Sequence, residues 1–340
     1  MVLGVSGLGN TGSFALIDFL REYDEVFFDE YMGECSLCYC PDGLLDLEYH
    51  ILKAPFRFQS SDAALWRFEK LVNDLFANHS GERHKYNQKL LEESKNYINQ
   101  ITQVSWEGTW GFRINNRSSI KRFVQKVLFK TKPIFGEKAY VDFTNETMRY
   151  SVRPDNFLDI TKQYIKKMID ATAVEEKKYT LIDQLFPGDN PEQAFHFFDN
   201  PVAIVVDRDP RDLYILSKSE IRADSTWIPT DTVEQFILYY KLMREKSDPI
   251  LNNDKVLRFQ YERLIYEYDN VEREIEEFLG IKNHVRKHEF FKPEVSINNT
   301  QLFNKHPEYS ADVKKIEKEL SEWIFDYSKF EKRTVFGKTF

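Results

Sequence analysis

The turn Gly7-Leu-Gly-Asn-Thr-Gly-Ser13 follows the short apolar run Val2 to Ser6. Apolar residues then recur at Phe14, Leu16, Ile17, Phe19 and Leu20. Glycines let a chain turn so tightly that successive N–H groups converge on one point. A helix beginning at Ser13 adds the partial positive charge of its N-terminus at the same place. Together they form a cradle for a phosphate-like anion, with Gly9, Asn10, Thr11, Gly12 and Ser13 facing it. A plain strand-to-helix turn uses the same glycines, so the strand–turn–helix context is what favours binding. A second chemical group is Arg208, which follows the β-branched run Pro201 to Val206. Ligands of open parallel sheets sit at the strand C-termini, and a guanidinium there clamps a phosphate through two hydrogen bonds. Arg211 and Asp212, just beyond, read as a surface ion pair at a helix start.

Gly7 and Gly12 have the spacing of a nucleoside-triphosphate loop, but Ser13 stands at its lysine position and Phe14 at its serine or threonine position. Phe14 cannot coordinate Mg²⁺, and triphosphate chemistry needs both missing groups. The loop therefore suits a single 5′-phosphate held without metal. A small-molecule kinase is disfavoured for the same reason.

These groups need elements to position them. Val2 to Ser6 reads as a buried strand, Ser13 to Tyr23 as a helix and Val26 to Asp29 as a second strand. Tyr179 to Asp183, Pro201 to Val206 and Val256 to Phe259 are further strands. Helices are expected over Pro191 to Phe198, Arg208 to Ser219, Asp231 to Glu245, Val271 to Leu279 and Tyr309 to Phe325, the fourth stopped by Gly280. The pattern is that of an α/β protein with an open parallel sheet flanked by helices. Residues from about 35 to 138 differ. Asp62 to Asn78, with Asp62 as its N-cap, and Lys85 to Ile101 have helical spacing, and a basic helix runs from about Ser118 to Lys130. This stretch reads as a mostly helical, acceptor-side insertion in a single domain spanning 1–340.

In order along the chain, Gly9-Asn-Thr-Gly-Ser13, the strand and Arg208-Asp-Pro-Arg-Asp212, Val256-Leu-Arg-Phe-Gln-Tyr-Glu-Arg-Leu264, Glu277-Phe-Leu-Gly-Ile281 and Phe291-Lys-Pro-Glu-Val-Ser-Ile-Asn-Asn299 resemble the successive motifs of sulfotransferases that use 3′-phosphoadenosine 5′-phosphosulfate, of the bacterial, carbohydrate-acting kind. The likeness covers residues 1–34 and about 179–326, and leaves out the insertion. It implies a P-loop-type fold and transfer of a sulfuryl group to a hydroxyl. The loop from Gly9 to Ser13 would bind the 5′-phosphosulfate and Arg208 the 3′-phosphate, with adenosine 3′,5′-bisphosphate as product and no metal. The family's serine eight residues after that arginine falls here on Leu216, with Ser217 next, about 100° further round a helix. Asn10 stands where many members have a lysine or arginine beside the leaving phosphate, and it brings a hydrogen-bond donor without charge. A carboxylate just past the second strand takes the acceptor's proton in many carbohydrate-acting members. Glu30 is the first candidate here and Glu34 the second, either being a solvated loop carboxylate if it has no role.

Composition limits the partners. The formal net charge of −8 disfavours a non-specific nucleic-acid binder. No apolar run is long enough to span a bilayer, and the start at Met1 lacks a leader pattern, so a cytoplasmic protein is expected. The three cysteines Cys35, Cys38 and Cys40 fit a reducing compartment better than a disulfide framework. With His50 they make an incomplete zinc set, and no metal is expected there. Trp66, Trp106 and Trp110 in the insertion could stack on sugar rings, which makes a saccharide the expected acceptor, although such aromatics are more often core. A binding protein that keeps the nucleotide site but has lost the chemistry is the alternative that Asn10 leaves open.

Overall fold

The computed structural model describes residues 1–29, 33–56, 59–77, 82–172, 176–220, 227–245, 252–333 and 337, with backbone alone at 82–85, 135 and 172. Residues Met1–Ser36 and Thr172–Phe340 make one compact unit, and Leu37–Ala171 makes a second.

Seven strands lie among the described residues: β1 (Val2–Gly7), β2 (Val26–Phe28), β3 (Val104–Gly108), β4 (Glu146–Tyr150), β5 (Tyr179–Asp183), β6 (Pro201–Asp207) and β7 (Val256–Gln260). The first unit holds a five-stranded sheet in the order β2-β5-β1-β6-β7. Every pairing in it is parallel. The register sets Val5 opposite Asp183 on one side of β1 and Gly7 opposite Val206 on the other. Parallel sheets are covered on both faces, which is why these strands read as unbroken apolar runs rather than alternating ones. Leu3, Val5, Leu181, Ile204, Val206 and Phe259 are buried here with Leu16, Ile17, Phe19 and Leu20 of the first helix. That helix, Ser13–Leu20, ends earlier than its apolar pattern suggests. Tyr23 is buried just after it, in the turn that leads into β2.

After β1 the chain builds to one side of it with β2 and β5, then crosses to the other with β6 and β7. The switch of direction lies at the C-terminal end of β1, where open parallel sheets form their ligand crevice. The expected single helix from Arg208 to Ser219 is corrected. Arg208 and Asp209 precede the helix, which runs Pro210–Ile215 and widens into a π-helical segment, Leu216–Glu220. Pro210 occupies the first helical position, and the Asp209 carboxylate caps the backbone N–H of Arg211.

The second unit is largely helical, with helices Ser60–Phe76, Glu82–Ile101, Ser119–Phe135, Glu137–Thr144 and Phe157–Thr172. It also contains a two-stranded antiparallel sheet of β3 and β4 that helical periodicity does not reveal, and Trp106 lies in it. Asp62 is not an N-cap. It sits inside the first turn of Ser60–Phe76, buried, with Arg113 Nη2 2.6 Å from its Oδ1. The same oxygen accepts the backbone N–H of Arg149 at 2.8 Å, so this carboxylate ties the helix to β4. Phe112 packs against Trp66, with ring centroids 6.0 Å apart, and against Trp110, at 5.0 Å. Among the described residues no helix is long and apolar enough to cross a membrane.

Candidate functional site

The glycine loop lies where β1 meets helix Ser13–Leu20. Gly9, Asn10 and Gly12 have φ of 90°, 53° and 93°. A Cβ on Gly9 would come 1.5 Å from the ring of Trp227, and one on Gly12 would come 2.5 Å from the ring of Tyr261. Both positions thus need glycine for backbone conformation and for space. Asn is among the few other residues that adopt the left-handed region readily. The backbone N–H groups of Gly9 to Gly12 have no hydrogen-bond partner among the described residues. Gln184, the residue after β5, donates from Nε2 to Ser13 Oγ at 3.1 Å and accepts from the Gly7 N–H at 3.4 Å. It braces the loop from the neighbouring strand.

Arg208 leaves the C-terminal end of β6 and is only 2% exposed. Its Nη1 donates to the carbonyl of Asn10 at 3.0 Å, and its Nη2 donates to the carbonyl of Asn299. One guanidinium therefore joins the glycine loop to the C-terminal segment 291–299. Tyr261 closes the circle: its ring lies 5.2 Å from the Arg208 guanidinium, and its hydroxyl donates to the Ser296 carbonyl at 3.0 Å. Burial raises the pKa of that hydroxyl and keeps it a donor.

Behind Arg208 lies a set of buried carboxyls. Arg211 and Asp212 are not the surface pair their sequence suggests. Arg211 clamps Asp209 at 2.7 Å and also donates to the Phe325 carbonyl at 3.0 Å. Asp212 accepts the backbone N–H groups of Gln301 at 2.7 Å and Leu302 at 2.6 Å, and the Tyr327 hydroxyl at 2.8 Å. Burial and the Asp209 charge push Asp212 up to about 6. Glu262 is pushed well above the carboxylate range by burial and then by Asp209 and Asp212. Its Oε1 accepts the Asp209 N–H at 3.1 Å. These groups hold the strand end and the C-terminal segment together behind the guanidinium.

Ser217 is buried inside the π-helical segment. Such a turn closes i to i+5 bonds and so takes up an extra residue.

Among the buried polar atoms without a hydrogen-bond partner are Asn10 Nδ2, Thr11 Oγ1, Arg208 Nε, Ser217 Oγ and Asn299 Oδ1. Buried polar groups are nearly always paired, so such a set calls for an explanation. Four of the five can donate, which matches a ligand rich in anionic oxygens and without donors of its own. Gly9, Gly12 and Ser13 stand in the same loop. No lysine or arginine lies in that loop, and among the described residues Arg208 is a cation hydrogen-bonded to it.

Glu30 lies outside the described residues. Glu34 is exposed and forms an isolated parallel bridge to Asp183, whose carbonyl accepts the Cys35 N–H at 2.9 Å. Asp183, missed in the sequence, ends β5 beside the loop strand. It is 2% exposed, and its Oδ1 has no partner. Burial, and next the Glu34 charge, push it up to about 7. The signal was present: Asp183 closes an apolar strand of this sheet just as Arg208 follows the end of another. Among the described residues no group of three or more His, Cys, Asp or Glu has an arrangement that could hold a metal ion.

No family model and no curated protein matches the chain. Solved structures similar to it include two sulfotransferase domains. A sulfotransferase domain from the Synechococcus PCC 7002 olefin synthase shows 14% identity and a TM-score of 0.39, covering 88% of this chain and 87% of that one. A sulfotransferase domain from the curacin biosynthetic pathway shows 13% identity and a TM-score of 0.33, covering 94% and 97%. At these values neither neighbour assigns an activity to this chain.

Proposed function

We propose that this chain is a sulfotransferase that binds 3′-phosphoadenosine 5′-phosphosulfate without metal and sulfates a hydroxyl of a saccharide. The observation that carries the reading is the set of buried, unpartnered donors at Asn10, Thr11, Arg208 and Ser217. Each unpaired buried polar atom costs about 1–3 kcal/mol, and a bound anionic ligand would supply these donors with acceptors. The bound nucleotide supplies the activated sulfuryl group. The N–H groups of Gly9 to Gly12 and the Asn10 amide face the 5′ end. Arg208 and Ser217 serve the 3′-phosphate, while Trp227 over Gly9 offers an aromatic face to a base.

Transfer forms a bond from the acceptor oxygen to sulfur and breaks the bond from sulfur to the bridging phosphate oxygen. The acceptor proton must go to a base, and the leaving oxygen gains negative charge. Asp183 suits the first task, with a carboxyl pushed up to about 7 and one oxygen unpartnered at the strand end. A base poised near the working pH combines ionised form with proton affinity. Exposed Glu34 beside it is the route by which the proton reaches solvent. Glu30 remains a further candidate base. The convergent N–H groups of the loop answer the second need in place of a lysine.

Titration calorimetry with adenosine 3′,5′-bisphosphate and with 5′-AMP, both without Mg²⁺, tests the site. The bisphosphate should bind far more tightly, and equal affinities would remove Arg208 and Ser217 from the reading. Because the loop lacks a cation, a nucleotide-binding protein without turnover is the second reading. Sulfuryl transfer to a saccharide panel distinguishes the two.

A further inference from the structure

Helix Ser119–Phe135 in the second unit carries a surface that the sulfuryl-transfer reading does not use. Ile120, Phe123, Val127 and Ile134 are spaced at three, four and seven residues, so they form one stripe along it. All four are exposed, Ile120 and Ile134 at 76% and Phe123 at 67%. The main neighbour of this helix is the short helix that follows, Glu137–Thr144. That contact engages other positions: Phe129 lies edge-on to Tyr140 at 5.7 Å, and Lys132 pairs with Glu137 at 3.1 Å. The stripe is left facing outward. A soluble surface rarely leaves large apolar residues aligned in this way without a partner.

The charges around the stripe say what the partner is. Lys121, Arg122, Lys126, Lys130 and Lys132 fall within this helix, and no acidic residue lies between Ser118 and Gly136, although the whole chain has a net charge of −8. Arg122, Lys126 and Lys130 recur every four residues and form a row along one border of the apolar stripe. None of these three has an ion-pair partner among the described residues. A second copy of this face would set two cationic rows against each other, so self-association is disfavoured. An apolar stripe of Phe, Ile and Val bordered by long cationic side chains is the pattern of a helix lying in a bilayer interface. There the stripe enters the acyl boundary while lysine and arginine reach the headgroups.

We propose that helix Ser119–Phe135 docks the protein on an anionic lipid surface, with Ile120, Phe123, Val127 and Ile134 inserted and Arg122, Lys126 and Lys130 on the headgroups. Attraction to anionic headgroups is screened by salt, whereas insertion of the stripe is not, so the two contributions separate. The test is co-sedimentation of the full chain with vesicles of phosphatidylcholine alone or mixed with phosphatidylglycerol. Binding should require phosphatidylglycerol and weaken with salt. F123E, and separately the triple change R122Q/K126Q/K130Q, should each lower the bound fraction by about tenfold or more. Circular dichroism should remain that of the parent, since these side chains are exposed. Absence of binding to the mixed vesicles, or binding that F123E leaves unchanged, overturns the proposal. So does a dimer of the parent chain that F123E dissociates, which assigns the stripe to a second copy. Tight binding to soluble polyglutamate in place of vesicles assigns it to an acidic protein.

Discussion

Replacing Asp183 by Asn should raise stability and slow turnover together. The carboxyl at the end of β5 is buried, its Oδ1 lacks a partner, and burial with the nearby Glu34 charge pushes it from an ordinary 3.8 up to about 7. A rise of roughly three units, at 1.36 kcal/mol each, means that holding this group ionised in the folded state costs up to about 4 kcal/mol. Between about pH 4 and pH 7 the folded state binds the proton more tightly than the unfolded chain does. Stability therefore falls as pH rises through that window, and the whole penalty is present above it. Asn keeps the shape and removes the charge. The gain of Asp183→Asn over the parent, by urea unfolding, should be small near pH 4, grow through about pH 7 and level off at roughly 1–4 kcal/mol. Single-turnover transfer should fall by about a hundredfold or more in the variant, and the parent rate should rise with pH through about 7. A variant less stable than the parent near pH 8 would show that the carboxylate is paired rather than strained. Parent-like transfer rates would take the base role from Asp183 and pass it to Glu30 or Glu34.

Arg208→Ala should weaken adenosine 3′,5′-bisphosphate by about 2 kcal/mol or more by calorimetry. It should also lower the melting temperature, because the carbonyls of Asn10 and Asn299 lose their donor. Arg208→Lys keeps the charge but not the fork, and should recover only part of either. Ser217→Ala removes a buried hydroxyl that has no protein partner, so it should leave stability unchanged or improved while weakening the bisphosphate by about 1 kcal/mol. Loss of stability with unchanged affinity would place that hydroxyl in the fold rather than the site. Asn10→Lys should preserve or raise single-turnover transfer by adding charge beside the leaving oxygen, and a collapse of rate would mean the loop cannot accept it. Elemental analysis of the purified chain should find no stoichiometric zinc at Cys35, Cys38 and Cys40.

β1, β5, β6 and β7 were legible within a residue, and the first helix within three, because continuous apolar runs and glycine turns are local signals. So was the place of Arg208 just past the end of β6, since the strand before it is a continuous apolar run. Composition likewise announced the helical character of the stretch after Ser36, and the cationic helix within it.

What the chain order could not announce were pairings between distant residues. Asp62 reads as a cap until Arg113, 51 residues on, buries against it. Arg211 and Asp212 read as a surface pair until Phe325, Gln301, Leu302 and Tyr327, about a hundred residues away, close over them. Ser217 depends on a widened turn, and Asp183 becomes a strained carboxyl only when β5 inserts between β2 and β1 and the segment at Glu34 covers its end. Periodicity and turn chemistry are properties of neighbouring residues, so sequence alone determined the strands of the parallel sheet and the loop. Burial, and with it the protonation of Asp183 and Glu262, depends on what the rest of the chain brings near, and only the tertiary structure decided that.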